Sequence, residues 1–160
     1  MQQSSPLVGL ITPPFQQQWK RRAQLPEHSE VLWRIESGVV CSMTWTAEGE
    51  LVCLGYWGVG DVVGHRLSRV RPYEIHCLTD VVISCCSYTQ RSHFTDAIIH
   101  QQQQTEELLS IIHLNPLSQK LWQLLMWLSQ KFGCDVENGR LLDLPLTHQQ
   151  LAQTLGTNRV

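Results

Sequence analysis

VLWRIESGVVCSMTWTAEGELVCLGYWGVGDVVG, residues 31–64, decides the fold class. It consists of short runs rich in Val, Ile, Trp, Tyr and Cys, and each run ends at Gly, Asp or Ser. Two further runs, PYEIHCLTD and VVISCCS, continue the texture. Strand-like runs recurring about every 8–12 residues are the pattern of a small antiparallel sandwich or barrel. Within CSMTWTAEGELVCLGYW, the stretch Thr46-Ala47-Glu48-Gly49 separates two alternating strands, with Gly49 free to take positive φ at a hairpin. Gly55, Gly58, Gly60 and Gly64 fall within ten residues and imply tight bends or close backbone approach.

Outward from this core the texture changes twice. Residues 1–24 contain Gln, Pro and Ser with an interrupted apolar pattern, and read as an arm or a short irregular helix near residues 15–22. Towards the C-terminus, RSHFTDAIIHQQQQTEELLSIIHL switches to helical period. It places Phe94, Ile98, Gln101, Thr105, Leu108 and Ile112 at spacings of three and four, a heptad-like seam with a polar middle. A second helix is expected after Asn115-Pro116, with Leu117, Leu121, Leu124, Leu125, Leu128 and Phe132 in a stripe. Trp122, Met126 and Trp127 widen that stripe, so the helix is expected to be buried on most sides and to end at Gly133. ENGRLLDLPL reads as a turn and one short strand.

The bulk properties exclude several classes. The chain has 160 residues, is 42% hydrophobic and has a formal net charge of −2. It can build a real core and carries no bulk electrostatic signal for an anionic partner. Its start, MQQSSPLVGLITPPFQQQWKRR, lacks a basic segment before its apolar residues, so a cytoplasmic protein without membrane attachment is expected. Cys41, Cys53, Cys77, Cys85, Cys86 and Cys134 form no C-x-x-C pair, which argues against zinc or iron–sulfur ligation. They are read as small buried apolar residues in a reducing compartment. No Cys-His or Ser-His-Asp arrangement has supporting context, and Asp61 is read as a turn cap. Neither an enzyme, a metal site nor a cofactor is expected.

The last residues, LTHQQLAQTLGTNRV, carry the functional signal. Thr147 with Gln150 three residues on is a capping box and fixes a helix start. Leu151, Ala152 and Leu155 then share one face, with Ala152 small enough for a close crossing, and Gly156 marks a sharp turn. Thr157 can cap a following helix. Helix, small residue, glycine turn and second helix form a helix-turn-helix pattern, although an ordinary helical hairpin uses the same turn.

A Gly-rich barrel with GDVVG at residues 60–64, then a long amphipathic helix, then THQQLAQTLGTNRV at residues 147–160, resembles the Crp/Fnr family of bacterial transcription regulators. The resemblance covers roughly residues 30–160, and the tail is most similar to the nitrogen-control branch. It implies an α+β chain with an antiparallel β-roll or jelly-roll barrel, a long dimerisation helix and a partial winged-helix domain. The implied organisation is an N-terminal arm over residues 1–30 and a cyclic-nucleotide-binding-like barrel over 31–90. A dimer helix over 91–114 and an incomplete winged helix-turn-helix over 115–160 follow, with the chain breaking off inside the recognition helix.

By the same resemblance, Arg159 would read a guanine edge, where two hydrogen bonds give about 1–3 kcal/mol of discrimination. Thr147, His148 and Gln149 would lie near the DNA backbone, and Thr157 and Asn158 beside the base reader. A surface arginine is the plain alternative for Arg159. The implied partners are a palindromic double-stranded DNA site, a second copy of the chain across the seam named above, and RNA polymerase.

Two family patterns are absent. Cyclic nucleotides need a Gly-Glu pair for the ribose and an arginine followed by a small hydroxyl residue for the phosphate. His65 follows Gly64 here, and HRLSRVRPYEIH shows no such arginine pair. Cyclic AMP is therefore not expected to be an effector. Arg66 and Arg71 could hold another anion, such as a carboxylate metabolite, or form a solvated basic loop. The remaining alternative is a barrel that binds a small molecule or docks a protein without touching DNA. As it stands, the 160-residue chain is expected to hold specific DNA weakly or not at all.

Overall fold

Strand β3 (Val40–Trp45) shows why the chain folds as it does, because both of its faces carry buried residues and both are covered. The computed structural model describes residues 15–157. Val40 points into one buried cluster with Trp33, Ile35, Trp57, Val63, Ile75 and Ile83. Val39, Cys41 and Met43 point the other way, into a second cluster with Tyr56, Leu108, Leu124, Leu128 and Leu155. Successive side chains of a strand face opposite sides, so a strand with apolar residues at neighbouring positions, as at Val39, Val40 and Cys41, must be covered on both.

The first cluster lies between two antiparallel sheets. One contains β1 (Gln16–Trp19), β7 (Val81–Ser87), β2 (Val31–Ser37) and β5 (Val62–Val63), in that order. The other contains β4 (Leu51–Trp57), β3 and β6 (Glu74–Cys77). β3 and β4 form the hairpin expected from Thr46 to Gly49, and Gly49 has φ 84°. Gly55 is required by closeness instead: a Cβ there would stand 2.3 Å from the Trp57 ring.

One expectation near the start is corrected. Gln16–Trp19 is no irregular helix but an edge strand paired with β7, whose residues Val81 to Ser84 offer it a free ladder. The run of polar Gln residues hides this strand from a hydrophobicity reading.

Helices cover the outer face of β3 and β4. After a 3-10 segment at Tyr88–Phe94, α1 spans Thr95–Ile112, and α2 spans Leu117–Phe132. The two helices and the barrel share the second cluster through Leu108, Ile111, Leu124 and Leu128. Contrary to expectation, α2 is not buried on most sides: Trp122 is 62% exposed, and Leu117, Leu125 and Met126 also face out. One helix face can meet only one neighbour, and the described residues supply none for the other. Gly133 does end α2, yet with φ −78°; its role is to let the backbone pass Ser129, whose carbonyl oxygen would be 2.3 Å from a Cβ.

Residues 134–141 form a hairpin of β8 (Cys134–Val136) and β9 (Gly139–Leu141), two strands where one was expected. The chain then enters α3 (His148–Thr154). Of the cysteines, Cys41, Cys53 and Cys77 are buried, Cys85 and Cys86 half-buried, and Cys134 exposed on that hairpin, so the expectation of burial fails there. Among the described residues, no helix is long and apolar enough to cross a membrane.

Candidate functional site

α3 is short, and its ends are fixed by local hydrogen bonds. The Thr147 hydroxyl accepts from the Gln150 amide at 3.1 Å, and the Gln150 side chain accepts from the Thr147 amide at 2.8 Å. This is the capping box in full. At the other end Gly156 takes φ 64°, and the Thr157 amide reaches back to the Ala152 carbonyl at 3.0 Å. That 6→1 bond with a left-handed glycine is a Schellman motif, which stops the helix and sends the chain off at an angle.

The inner face of α3 sits on the barrel. Ala152 and Leu155 are buried, and Thr154 meets Tyr56 of β4, hydroxyl to hydroxyl, at 2.5 Å. Thr154 donates its own proton to the Gln150 carbonyl, so the tyrosine hydroxyl is the donor. His148 and Gln149 point outward with Thr147, whereas Thr157 is half-buried. Asn158 and Arg159 lie outside the described residues.

The loop between β5 and β6 keeps Arg66 and Arg71 occupied. Arg66 reaches Glu30 at 2.9 Å and lies over the Tyr88 ring. Arg71 donates to the carbonyls of Val70 and Ser68 at 2.6 and 3.1 Å. Arg66 and Arg71 are thus engaged with different sets of partners. His65 is 3% exposed with its Nδ1 unpartnered, and it packs edge-on against Tyr73. Burial lowers the His65 pKa below its ordinary value, with Arg71 adding to the effect and the acids Glu27 and Glu74 opposing it. Between this loop and α1 lies a cavity of about 410 Å³, walled by Ser42, Trp57, Tyr73, Gln101 and Glu106 among others.

A third cluster joins the barrel to both long helices, and sequence reasoning missed it. Asp61 does cap a turn, accepting from the Gly58 amide at 2.8 Å. It is also 4% exposed and holds Lys131 of α2 at 3.2 Å and Gln104 of α1 at 3.1 Å. Lys131 further donates to the Tyr56 carbonyl and to the Gln104 side chain, and its ammonium lies near the rings of Trp57, Trp127 and Phe132. Burial lowers the Lys131 pKa, and the Asp61 carboxylate works against that. The available signal was helical phase. Lys131 continues the buried line of Leu124 and Leu128, and Gln104 that of Leu108 and Ile111.

The same phase corrects the seam read on α1. Its inner line is Gln104, Leu108 and Ile111, so Leu108 belongs to the chain's own core. Phe94, Ile98, Gln101 and Ile112 are half-buried and Thr105 is exposed. The outermost apolar residues of α1 are Ile99 and Leu109, at 50% and 54% exposure.

No protein-family model matches the chain. It is 41% identical over 144 residues to the regulatory protein CysR of Synechococcus elongatus, an alignment spanning 88% of this chain and 69% of that protein. Among solved structures, a transcriptional regulator of the CRP family from Thermus thermophilus superposes with a TM-score of 0.73 at 16% identity. That match covers 88% of this chain and 77% of the other. A cyclic nucleotide-binding domain containing protein from Listeria monocytogenes gives 0.76 at 13% identity, covering 89% and 75%.

Proposed function

Because the chain belongs to the Crp/Fnr family of transcription regulators, we propose that it binds a palindromic DNA site as a dimer, through α3 and the residues that follow it. The observation that carries this reading is α3 itself. A capping box at Thr147 and a Schellman turn at Gly156 define a helix and the sharp turn after it, which are the first two parts of a helix-turn-helix pattern. Thr147, His148 and Gln149 are exposed at its start, where hydroxyl and amide groups suit phosphate contacts. Asn158 and Arg159 follow in sequence, and Arg159 is proposed to read guanine. The second copy is proposed to pack along the outer line of α1, around Ile98, Thr105, Leu109 and Ile112. A contact with RNA polymerase completes the reading of a regulator at a promoter.

The test is selection of bound duplexes from a random pool by the full-length gene product. The expected outcome is a two-fold symmetric motif with half-sites about one helical turn, 10–10.5 base pairs, apart. Affinity should fall steeply as salt rises. Recovery of sequences without a shared motif would reject the reading.

The barrel is proposed to have no use for cyclic AMP. His65 fills the position after Gly64 with a buried ring, and Arg66 and Arg71 are engaged elsewhere. A phosphate in the 410 Å³ cavity would have Glu106 on its wall. Calorimetry with micromolar cyclic AMP should show no saturable heat. Saturable binding competed by unlabelled nucleotide would overturn this.

A further inference from the structure

The outer faces of β3 and β4 bring two cysteines together under α3. Their ladder slips between Ser42 and Met43, passing from Gly55 to Cys53 and leaving Leu54 unpaired. The bulge turns Cys53 and Tyr56 to the same side, alongside Cys41 and Met43. The sulfurs of Cys41 and Cys53 stand 3.1 Å apart, and both residues are buried. Cys85 and Cys86, adjacent in β7, project to opposite faces and make no such contact. Tyr56, three residues after Cys53, carries the 2.5 Å bond to Thr154 that seats α3.

We propose that Cys41 and Cys53 are a modification site, a dithiol closed to a disulfide by hydrogen peroxide or an organic hydroperoxide, and that closure loosens α3 from the barrel. Whether that alters gene control rests on the DNA-binding reading; the modification itself does not.

The chemistry assigns the two sulfurs different roles. Burial pushes the Cys53 thiol up, but hydrogen bonding, first with Cys41, outweighs it and leaves Cys53 the more acidic of the pair. The Cys41 thiol is raised, first by its bond to Cys53 and then by burial. Cys53 sulfur therefore attacks the peroxide, its S–O bond forming as the O–O bond breaks. The thiol proton leaves with the departing oxygen, as water when the oxidant is hydrogen peroxide. Cys41 sulfur then displaces the sulfenic hydroxyl, and its proton completes a second water. Two thiols lose two electrons and two protons, and one hydroperoxide accepts them.

The mechanical consequence follows from bond lengths. A disulfide is about 2.05 Å long, so the sulfurs must close by about 1 Å from 3.1 Å. The bulge at Leu54, where the ladder is unpaired, connects Cys53 to Tyr56. A bond of 2.5 Å between hydroxyls has no slack for a displacement of that size.

The test treats the reduced full-length protein with stoichiometric hydrogen peroxide and digests it with a protease cutting after glutamate. Glu48 and Glu50 separate the two cysteines, so a link between them joins two peptides. The expected result is a Cys41–Cys53 cross-link, reversed by dithiothreitol, with several-fold faster amide exchange across residues 148–155. Cys134→Ser should retain both effects, and Cys41→Ala and Cys53→Ser should each lose both. If only Cys134 is oxidised, or if the link forms and α3 exchange is unchanged, the proposal fails. Amide exchange is read without DNA, so this failure is separate from a failure of the DNA-binding reading.

Discussion

Single residues in this chain take their roles from what burial does to them. His65 stands in the loop where a nucleotide-binding relative would need an acid, and its ring is enclosed rather than turned to a ligand. A histidine whose folded pKa is lowered is neutral inside and must be protonated to match the unfolded chain in acid. Above an unfolded pKa of about 6.5 the group contributes no pH dependence. Below it the unfolded state binds the extra proton first, so stability falls as pH drops until the folded pKa is reached. Thermal unfolding followed from about pH 7.5 to about pH 5 should therefore show a declining melting temperature, and His65→Gln should flatten that slope. An unchanged slope in the variant would assign the acid sensitivity to other groups.

Secondary-structure elements carry their information in phase. The apolar residues of α1 fit more than one seam, since Ile98, Ile99, Leu108, Leu109, Ile111 and Ile112 come in adjacent pairs. Packing against α2 and the barrel selects Leu108 and Ile111 for the inside and leaves Leu109 outside. The two neighbours should then behave oppositely. Leu108→Ala removes a buried side chain and should cost about 2–5 kcal/mol of unfolding free energy. Leu109→Lys should leave the unfolding midpoint of the dissociated chain nearly unchanged while shifting sedimentation from the proposed dimer towards monomer. Equal losses of stability in both variants would mean that the helix is rotated from the position described. By contrast, the ends of α3 were legible from the residues alone. Capping is local chemistry, and Thr147, Gln150 and Gly156 are each within about a turn of the groups they satisfy.

Across the whole chain, the Asp61–Lys131 pair ties the barrel to the helix that leads towards α3. Desolvating two charges offsets much of their attraction, so such a pair adds little net stability and instead marks one relative pose. Lys131→Met leaves Asp61 buried without its cation and should destabilise the fold by about 3–5 kcal/mol. The double variant Asp61→Asn, Lys131→Met should recover a large part of that loss in denaturant unfolding. Simple additivity of the two single losses would show that the pair is not coupled.

Residue order alone was enough to specify the strand-rich barrel, the two helices after it, the capping box and glycine turn of α3, and the lack of an acid after Gly64. Each of these depends on residues near one another in the chain, where period, caps and turn chemistry act. Folding in three dimensions was needed to bring Gln16–Trp19 into a sheet, to face Leu108 inward, to engage Arg66 and Arg71 apart, and to set Asp61 against Lys131. It was needed equally to lay Cys41 against Cys53 and to seat Thr154 on Tyr56. These contacts join residues remote in sequence, and their distances are set by how sheets and helices stack, which no local pattern encodes.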